Sequence, residues 1–295
     1  MTATIISGTK LAAEIREELK VRVKSLKQKH ITPGLAVILV GEDPGSISYV
    51  KSKAKGAVEI DMFEETVRLP ADTSEAELIK TIEKLNDDLR FHGILVQLPL
   101  PSHVNTDTVI SHILPEKDAD GLHPFNMGKL LRGEPGPLPC TPHGVQEMLM
   151  RSSNDPAGKH VVICGRSNLV GKPLAGILMQ KKKGANAIVT LCHTGAKDMS
   201  YFTKQADIVI AAMGVPGVIT ADMIREGAVV IDVGVNRVVD ATKERGYRLI
   251  GDVDFDTVKE KASAITPVPG GVGLMTVTML LMNTLEAAER KAGLR

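Results

Sequence analysis

The stretch His160-Val161-Val162-Ile163-Cys164-Gly165-Arg166-Ser167-Asn168-Leu169-Val170-Gly171-Lys172-Pro173 decides the fold. Its first five residues are an apolar run of buried-strand type, and the glycines after it turn the chain into a helix. The turn has two readings. It is either a plain strand–helix connection or a cradle where backbone closes on a pyrophosphate and a helix offers free N–H groups. The spacing is not G-x-G-x-x-G, so the motif alone leaves both open. Beyond it, strand patterns recur at 187–192, 207–212, 228–233 and 264–268, with helical patterns between most of them. Strand and helix in alternation imply a parallel sheet.

The first half alternates in the same way. Leu11, Ile15, Leu19, Val23 and Leu26 recur every three or four residues, which predicts a helix over 9–29. A strand is expected at 35–40, a helix at 46–60, a short strand at 66–69, a helix at 74–88 and a strand at 93–98. Ser74 followed by Glu77 reads as a capping box. The Pro- and Gly-rich stretch 115–142 is long for a connection and reads as an interdomain passage or a functional loop. The fold expected is α/β and two-lobed. An N-terminal α/β substrate domain covers 1–121, and a C-terminal Rossmann-type doubly wound parallel sheet covers 122–295. The last helix, about 275–292, is a candidate to pack back on the first domain.

Composition narrows the function. The 295 residues carry a net charge of +1 and 3% aromatics, which gives neither a basic footprint nor a stacking platform for nucleic acid. Cys140, Cys164 and Cys192 form no metal-type pair, so no metal is expected, and their odd number fits reduced thiols in a cytoplasm. The start of the chain lacks the pattern of a signal peptide. Leu274 to Leu285 is too short to span a membrane and contains Thr276, Thr278, Asn283 and Thr284, so it reads as a buried helix.

Several residues could carry chemistry. Tyr49 and Lys53 are four apart on a predicted helix and so share a face. An aromatic ring can cover a flat ligand, and a desolvated lysine can act as acid or base, although an ordinary solvated face has the same pattern. Gln97 interrupts the apolar run Ile94 to Leu98 and must find partners there, either structurally or by orienting a neighbour such as Lys53. Asp118 and Asp120 read locally as turn formers. The strand at 187–192 ends without the acid that holds a ribose in NAD sites, whereas Arg166 can pair with a 2′-phosphate, which favours NADP. Met213 to Gly217, Asp232 to Arg237 and Pro267 to Gly273 also fall at strand ends, where ligands bind such sheets.

Taken in order along the chain, these segments resemble the bifunctional methylenetetrahydrofolate dehydrogenase/methenyltetrahydrofolate cyclohydrolases. The resemblance is carried by Val40 to Pro44, Tyr49-Val50 with Lys53, Gly93 to Pro101, Lys117-Asp118-Ala119-Asp120-Gly121 and Cys140-Thr141-Pro142. In the second half it is carried by Gly165-Arg166-Ser167, Gly251 to Phe255 and Pro269-Gly270-Gly271-Val272-Gly273. It implies that Lys53 is the acid/base of the cyclohydrolase step, that Gln97 holds its amine, that Tyr49 packs on the folate and that Asp120 bonds the pterin. It also implies that Gly165, Arg166, Ser167, Thr194 and Val235 lie by NADP, with Arg166 and Thr194 near the 2′-phosphate. Pro269, Gly270, Gly271 and Gly273 would border the meeting place of nicotinamide and folate. A homodimer acting on tetrahydrofolate derivatives is implied as well.

Some positions depart from the pattern. Leu274 stands where the family has Pro, and Thr194-Gly195-Ala196 replaces a Ser, a basic residue and a Thr. Gly56 and Asp61 are unusual after Lys53, and a mid-helix Gly suggests a more mobile helix. A dehydrogenase alone and a non-catalytic folate-binding regulator are the alternative functions.

Overall fold

The computed structural model describes residues 2–243 and 246–294. Its strands are β1 (Thr4–Ile5), β2 (Gly34–Val40), β3 (Phe63–Leu69), β4 (Gly93–Val96), β5 (His160–Cys164), β6 (Ile188–Cys192), β7 (Ile208–Ala211), β8 (Val229–Asp232), β9 (Asn236–Val239), β10 (Tyr247–Ile250) and β11 (Ala264–Ile265). Its helices are α1 (Gly8–Lys27), α2 (Pro44–Glu59), α3 (Glu75–Asp87), α4 (Thr106–Ser111), α5 (Pro124–Arg132), α6 (Cys140–Arg151), α7 (Gly171–Leu178), α8 (Ser200–Thr203), α9 (Phe255–Val258) and α10 (Val272–Lys291). The chain forms two compact units, Ala13–Cys140 with Val277–Arg295, and Met1–Ala12 with Thr141–Thr276. This division differs from a cut after residue 121. Residues 1–12 join the second unit because Thr4 and Ile5 pair with Ala264 and Ile265, while residues 122–140 stay with the first.

The first unit is built on a parallel sheet in the order β3-β2-β4, with Val37 opposite both Thr66 and Leu95. β2 is buried along its whole length, which is why Leu35 to Val40 reads as an unbroken apolar run. Ala36, Ile38, Leu78, Ile82, Phe91 and Ile94 form much of the core. The capping box of α3 is formed at Ser74 and Glu77. β4 ends at Val96, short of the expected 98. The Gln97 N–H still reaches Ile38 O at 2.9 Å, but Pro99 has no N–H to extend the ladder.

α2 starts earlier than expected because Asp43 accepts the Ser46 N–H at 2.7 Å and Pro44 fits the first turn. Gly56 has a packing reason within α2. A Cβ there would lie 3.2 Å from Leu281 Cδ1, so its small size lets α10 come close. Asp61 is beyond the helix, at φ 63°. The stretch 115–142 is also more ordered than a passage. It holds a 3-10 turn at Pro115–Lys117, all of α5 and the start of α6. Pro124 opens α5 and left-handed Gly133 closes it, the usual asymmetry of helix ends.

The second unit is a six-stranded sheet in the order β1-β11-β8-β7-β5-β6, and every pairing in it is parallel. Val162, Val209, Val230 and Ile265 are among its core residues. From β5 the chain goes to β6 on one side and then to β7 on the other. The ends of β5 and β7 therefore form a topological switch point, where open α/β sheets bind ligands. The doubly wound α/β reading holds. The antiparallel hairpin β9–β10 is an addition that the sequence reading lacked.

Candidate functional site

In the first unit, α2 carries Lys53 inward and β4 delivers Gln97 to meet it. Lys53 is 6% exposed, and its Nζ donates to Gln97 Oε1 at 2.7 Å. The Gln97 amide is oriented by its own Nε2, which donates to Leu98 O at 2.6 Å. Gln97 therefore presents an acceptor, which fixes the direction of the lysine amine. Burial lowers the pKa of Lys53 below the ordinary lysine range, while the negative charge of Asp120 opposes the shift. A lysine of this kind changes protonation state more readily near neutral pH than a solvated one. Tyr49, one turn earlier, is 40% exposed. The pair thus does not share one solvated face: Lys53 turns into the core while Tyr49 stays open to a ligand.

The segment 117–120 divides its charges by task. Buried Lys117 donates to the carbonyls of Leu85, Asn86 and Asp88 and so closes the end of α3. Asp118 accepts the N–H groups of Gly121 and Leu122 on one oxygen, and those of His123 and the Asn126 side chain on the other. With four donors taken, it is a turn former. Asp120 is half-buried and acts electrostatically on Lys53 and on Cys140.

Two further residues frame Asp120. Asn283 on α10 donates to Ala119 O at 2.9 Å, to Leu138 O at 2.8 Å and more weakly to Cys140 Sγ at 3.6 Å. The Cys140 thiol donates to Ala119 O at 3.3 Å, and burial raises its pKa well above the ordinary thiol value. It is a neutral spacer, not a nucleophile. The sequence reading named neither residue for the site. The available signal was Asn283, a lone amide in an apolar helix that must find partners.

In the second unit, Gly165, Arg166 and Ser167 form the turn after β5. Gly165 has φ 131°, and a Cβ there would lie 2.1 Å from Ala212 O. A Cβ on Gly171 would lie 2.0 Å from Gly165 O, so both positions require glycine for the turn to close. Ser167 Oγ accepts the Val170 N–H at 3.1 Å and keeps its own proton to donate. Exposed Arg166 reaches over the end of β6 to His193, while Thr194 and Val235 lie exposed after β6 and β8. A cavity of about 440 Å³ opens at the end of β6, with Thr190, His193, Gly195, Lys197 and Tyr201 in its wall. Pro269, Gly270, Gly271 and Gly273 form the turn into α10, and Gly270 O accepts the Thr9 N–H at 3.1 Å.

A buried carboxylate pair, from two segments that the sequence reading singled out without assigning either acid a role, fixes the loops at these strand ends. Asp252 accepts the N–H groups of Met213 and Gly214 and the Asn236 amide. Asp232 accepts those of Gly234, Asp252 and Val253. Burial, helped by the nearby charge of Asp252, pushes the Asp232 carboxyl up to about 6 despite these bonds. The three thiols are free and buried, and burial pushes Cys164 up to about 12. Among the described residues, no group of three or more His, Cys, Asp and Glu could hold a metal ion. Nor is any helix long and apolar enough to cross a membrane.

Comparison with known proteins matches both halves to one family. Residues 6–120 match its tetrahydrofolate dehydrogenase/cyclohydrolase catalytic domain, and residues 139–292 match its NAD(P)-binding domain. The chain is 56% identical to the bifunctional protein FolD of Dehalococcoides mccartyi over 295 residues, covering 100% of this chain and 99% of that one. It is similar to the crystal structure of the bifunctional FolD methylenetetrahydrofolate dehydrogenase/cyclohydrolase of Campylobacter jejuni, with TM-score 0.92, 46% identity, and 98% and 99% of the two chains covered. It is also similar to the Trypanosoma brucei dehydrogenase-cyclohydrolase solved with NADP and an inhibitor, with TM-score 0.94, 40% identity, and 99% of each chain covered.

Proposed function

The chain belongs to the tetrahydrofolate dehydrogenase/cyclohydrolase family, and we infer from that premise that it carries out both reactions. It oxidises 5,10-methylenetetrahydrofolate to 5,10-methenyltetrahydrofolate with NADP, and it hydrolyses the product to 10-formyltetrahydrofolate. When bound, NADP supplies the acceptor for the hydride that leaves the folate carbon. The glycine turn at Gly165 fits a dinucleotide, because backbone can approach where a Cβ could not. Arg166, Ser167, Thr194 and Val235 are the side chains that would hold it, with Pro269, Gly270, Gly271 and Gly273 as the loop on the substrate side. The folate-binding unit is Ala13–Cys140 with Val277–Arg295, and the NADP-binding unit is Met1–Ala12 with Thr141–Thr276.

The observation that carries the cyclohydrolase reading is the buried Lys53 amine aimed by Gln97 at 2.7 Å. Water adds to the methenyl carbon and gives up a proton, which the neutral amine takes. The bond from that carbon to N5 then breaks as N5 receives a proton from the ammonium; the added hydroxyl loses its remaining proton to solvent and becomes the carbonyl of the formyl group, which stays on N10. Base and acid are thus one group used twice. Gln97, as acceptor, holds the amine through both steps. Asp120 binds the pterin and adds negative charge beside Lys53, and Tyr49 covers the ring. We further propose a cytoplasmic homodimer, in keeping with three reduced thiols and with the family resemblance.

One coupled assay tests the reading. The purified protein should form NADPH from methylenetetrahydrofolate and should remove methenyl absorbance faster than buffer does. NADPH without faster hydrolysis would leave a dehydrogenase alone. Sedimentation would test the dimer.

A further inference from the structure

We propose that Asp252 is a positioning residue for the dehydrogenase: through Asn236 and the turn after β7 it holds the segment that carries Val235 in the form that receives NADP. This rests on the reading that Val235 lies by that cofactor. Asp252 is fully buried, and its two oxygens serve different segments. Oδ2 accepts the Met213 and Gly214 N–H groups at 2.6 and 2.8 Å, and Oδ1 accepts the Asn236 amide at 2.9 Å. A carboxylate offers only acceptors, so it also decides which end of the Asn236 amide faces it. The backbone of this segment is fixed in turn by Asp232. Its Oδ1 accepts the Asp252 N–H at 2.9 Å, and its Oδ2 accepts that of Val253 at 3.0 Å.

The two acids interlock through glycines. A Cβ on Gly234 would overlap the Asp252 carboxylate, and one on Gly251 would overlap that of Asp232. Each side chain thus rests on the backbone of the other's segment. Val235 lies between the points they hold. Before it, the Gly234 N–H is bonded to Asp232 Oδ1 at 3.0 Å, and after it the Asn236 side chain is bonded to Asp252. Asn236 is also the first residue of β9, opposite Ile250 at the end of β10, so the bond to Asp252 closes the base of that hairpin. A sheet of two strands is marginal by itself, so the place of Val235 depends on this clasp. Val235 is 45% exposed. An open residue anchored on both sides is ready for a ligand, since binding need not first order the turn.

The test measures the KM for NADP in the dehydrogenase reaction and, on the same preparations, the rate of methenyl hydrolysis, which uses no NADP. Asn236→Leu cuts one leg of the clasp and leaves the Met213 and Gly214 bonds in place. It should raise the KM for NADP roughly tenfold, the order for losing one hydrogen bond to a charged group, with hydrolysis near the parent rate. Asn236→Asp sets a second carboxylate against Asp252 and should raise the KM further. Adding Asp252→Asn to Asn236→Asp exchanges the partners. The new amide then donates to the new carboxylate while its carbonyl accepts from Met213 and Gly214, so the KM should return most of the way to the parent value. A parent-like KM in both single variants would overturn the proposal. So would a double variant no better than Asn236→Asp, because the bond between the two positions would not be what acts. Hydrolysis that falls as far as the dehydrogenase would mean a general loss of fold and no positioning role. Val235→Glu separates the proposal from the reading beneath it, since an exposed carboxylate there should repel the cofactor phosphates. If Val235→Glu raises the KM and the Asn236 variants do not, only the clasp is wrong. If none of them moves it, the cofactor lies elsewhere and the reading fails as well.

Discussion

Replacing Lys53 with Met separates the two chemistries, and the structure sets how large the separation should be. Met keeps an apolar stem of similar length and removes the amine. Loss of a positioned proton carrier typically costs 10²- to 10⁴-fold, so cyclohydrolase activity should fall by about that factor. Hydride transfer depends on positioning and needs no proton carrier, so the dehydrogenase should fall far less. Stability provides a control. The substitution leaves Gln97 Oε1 without its 2.7 Å donor, at a cost of about 1–3 kcal/mol. It also removes an amine whose charged form is disfavoured by burial, which offsets part of that cost. The melting temperature should therefore move by only a few degrees, on the order of 2–4 °C per kcal/mol in a chain of this size.

The assay follows methenyl absorbance and NADPH formation on the same preparation. Gln97→Leu gives the second arm. If Gln97 acts only by holding Lys53, the double variant should hydrolyse no more slowly than Lys53→Met alone, a failure of additivity expected of residues acting as a unit. Hydrolysis by Lys53→Met at the parent rate would remove Lys53 from the mechanism. Fully additive losses would give Gln97 a separate role.

Other outcomes follow from the same geometry. Arg166→Ala should raise the KM for NADP far more than that for NAD, measured with both cofactors at fixed folate, and equal losses would count against Arg166 as the 2′-phosphate ligand. Asn283→Leu removes the amide donor from the Leu138 carbonyl and leaves the Ala119 carbonyl only the Cys140 thiol, and should cost about 1–3 kcal/mol by denaturant unfolding, with a raised KM for folate and little change in NADP binding. Asp120→Asn removes the attraction that supports the Lys53 ammonium, so the rising limb of cyclohydrolase activity with pH should move to lower pH. Asp232 has a folded pKa of about 6, above its unfolded value near 4, so its protonation favours the folded state. That contribution is complete below about pH 4 and lost as pH rises through 6, roughly 3 kcal/mol in all, and Asp232→Asn should flatten the fall in unfolding curves.

The fold was legible because its signals are local. The unbroken apolar run of β2 and the capping box of α3 need only their own neighbours to be recognised. Less was legible where a short element owes its existence to a distant one. β1 is two residues long and forms because Ala264 and Ile265 lie beside it. α5 had its signals in Pro124 and Gly133, but His123 is an uncommon cap, and the surrounding prolines read as a passage. The site divides in the same way. Gln97 could be marked in advance because a buried amide in an apolar strand must find a partner, but its pairing with Lys53 was one of two open readings until the resemblance implied it. Cys140, Asn283 and the Asp232–Asp252 pair could not be paired in advance, since their roles are defined by backbone groups brought from far along the chain.

The segment Lys117 to Asp120 shows why a motif does not assign roles to its members. Three charged residues within four positions invite a joint reading as a catalytic cluster. Counting partners separates them. Lys117 spends its three donors on three carbonyls at the end of α3, and so has none left for a ligand. Asp118 has four donors on its two oxygens, which fills about the capacity of a carboxylate. Asp120 is the remaining acidic group, half-buried and close enough to Lys53 to influence its charge. Lys117 ties the chain before Ala119 to the end of α3 and Asp118 ties it to the backbone of residues 121–123, while the Ala119 carbonyl accepts from Asn283 and Cys140. Asp120 is therefore pre-positioned by neighbours whose own polar groups are already satisfied. A site built this way keeps one carboxylate at a fixed place, which is what a single directional contact to a substrate requires.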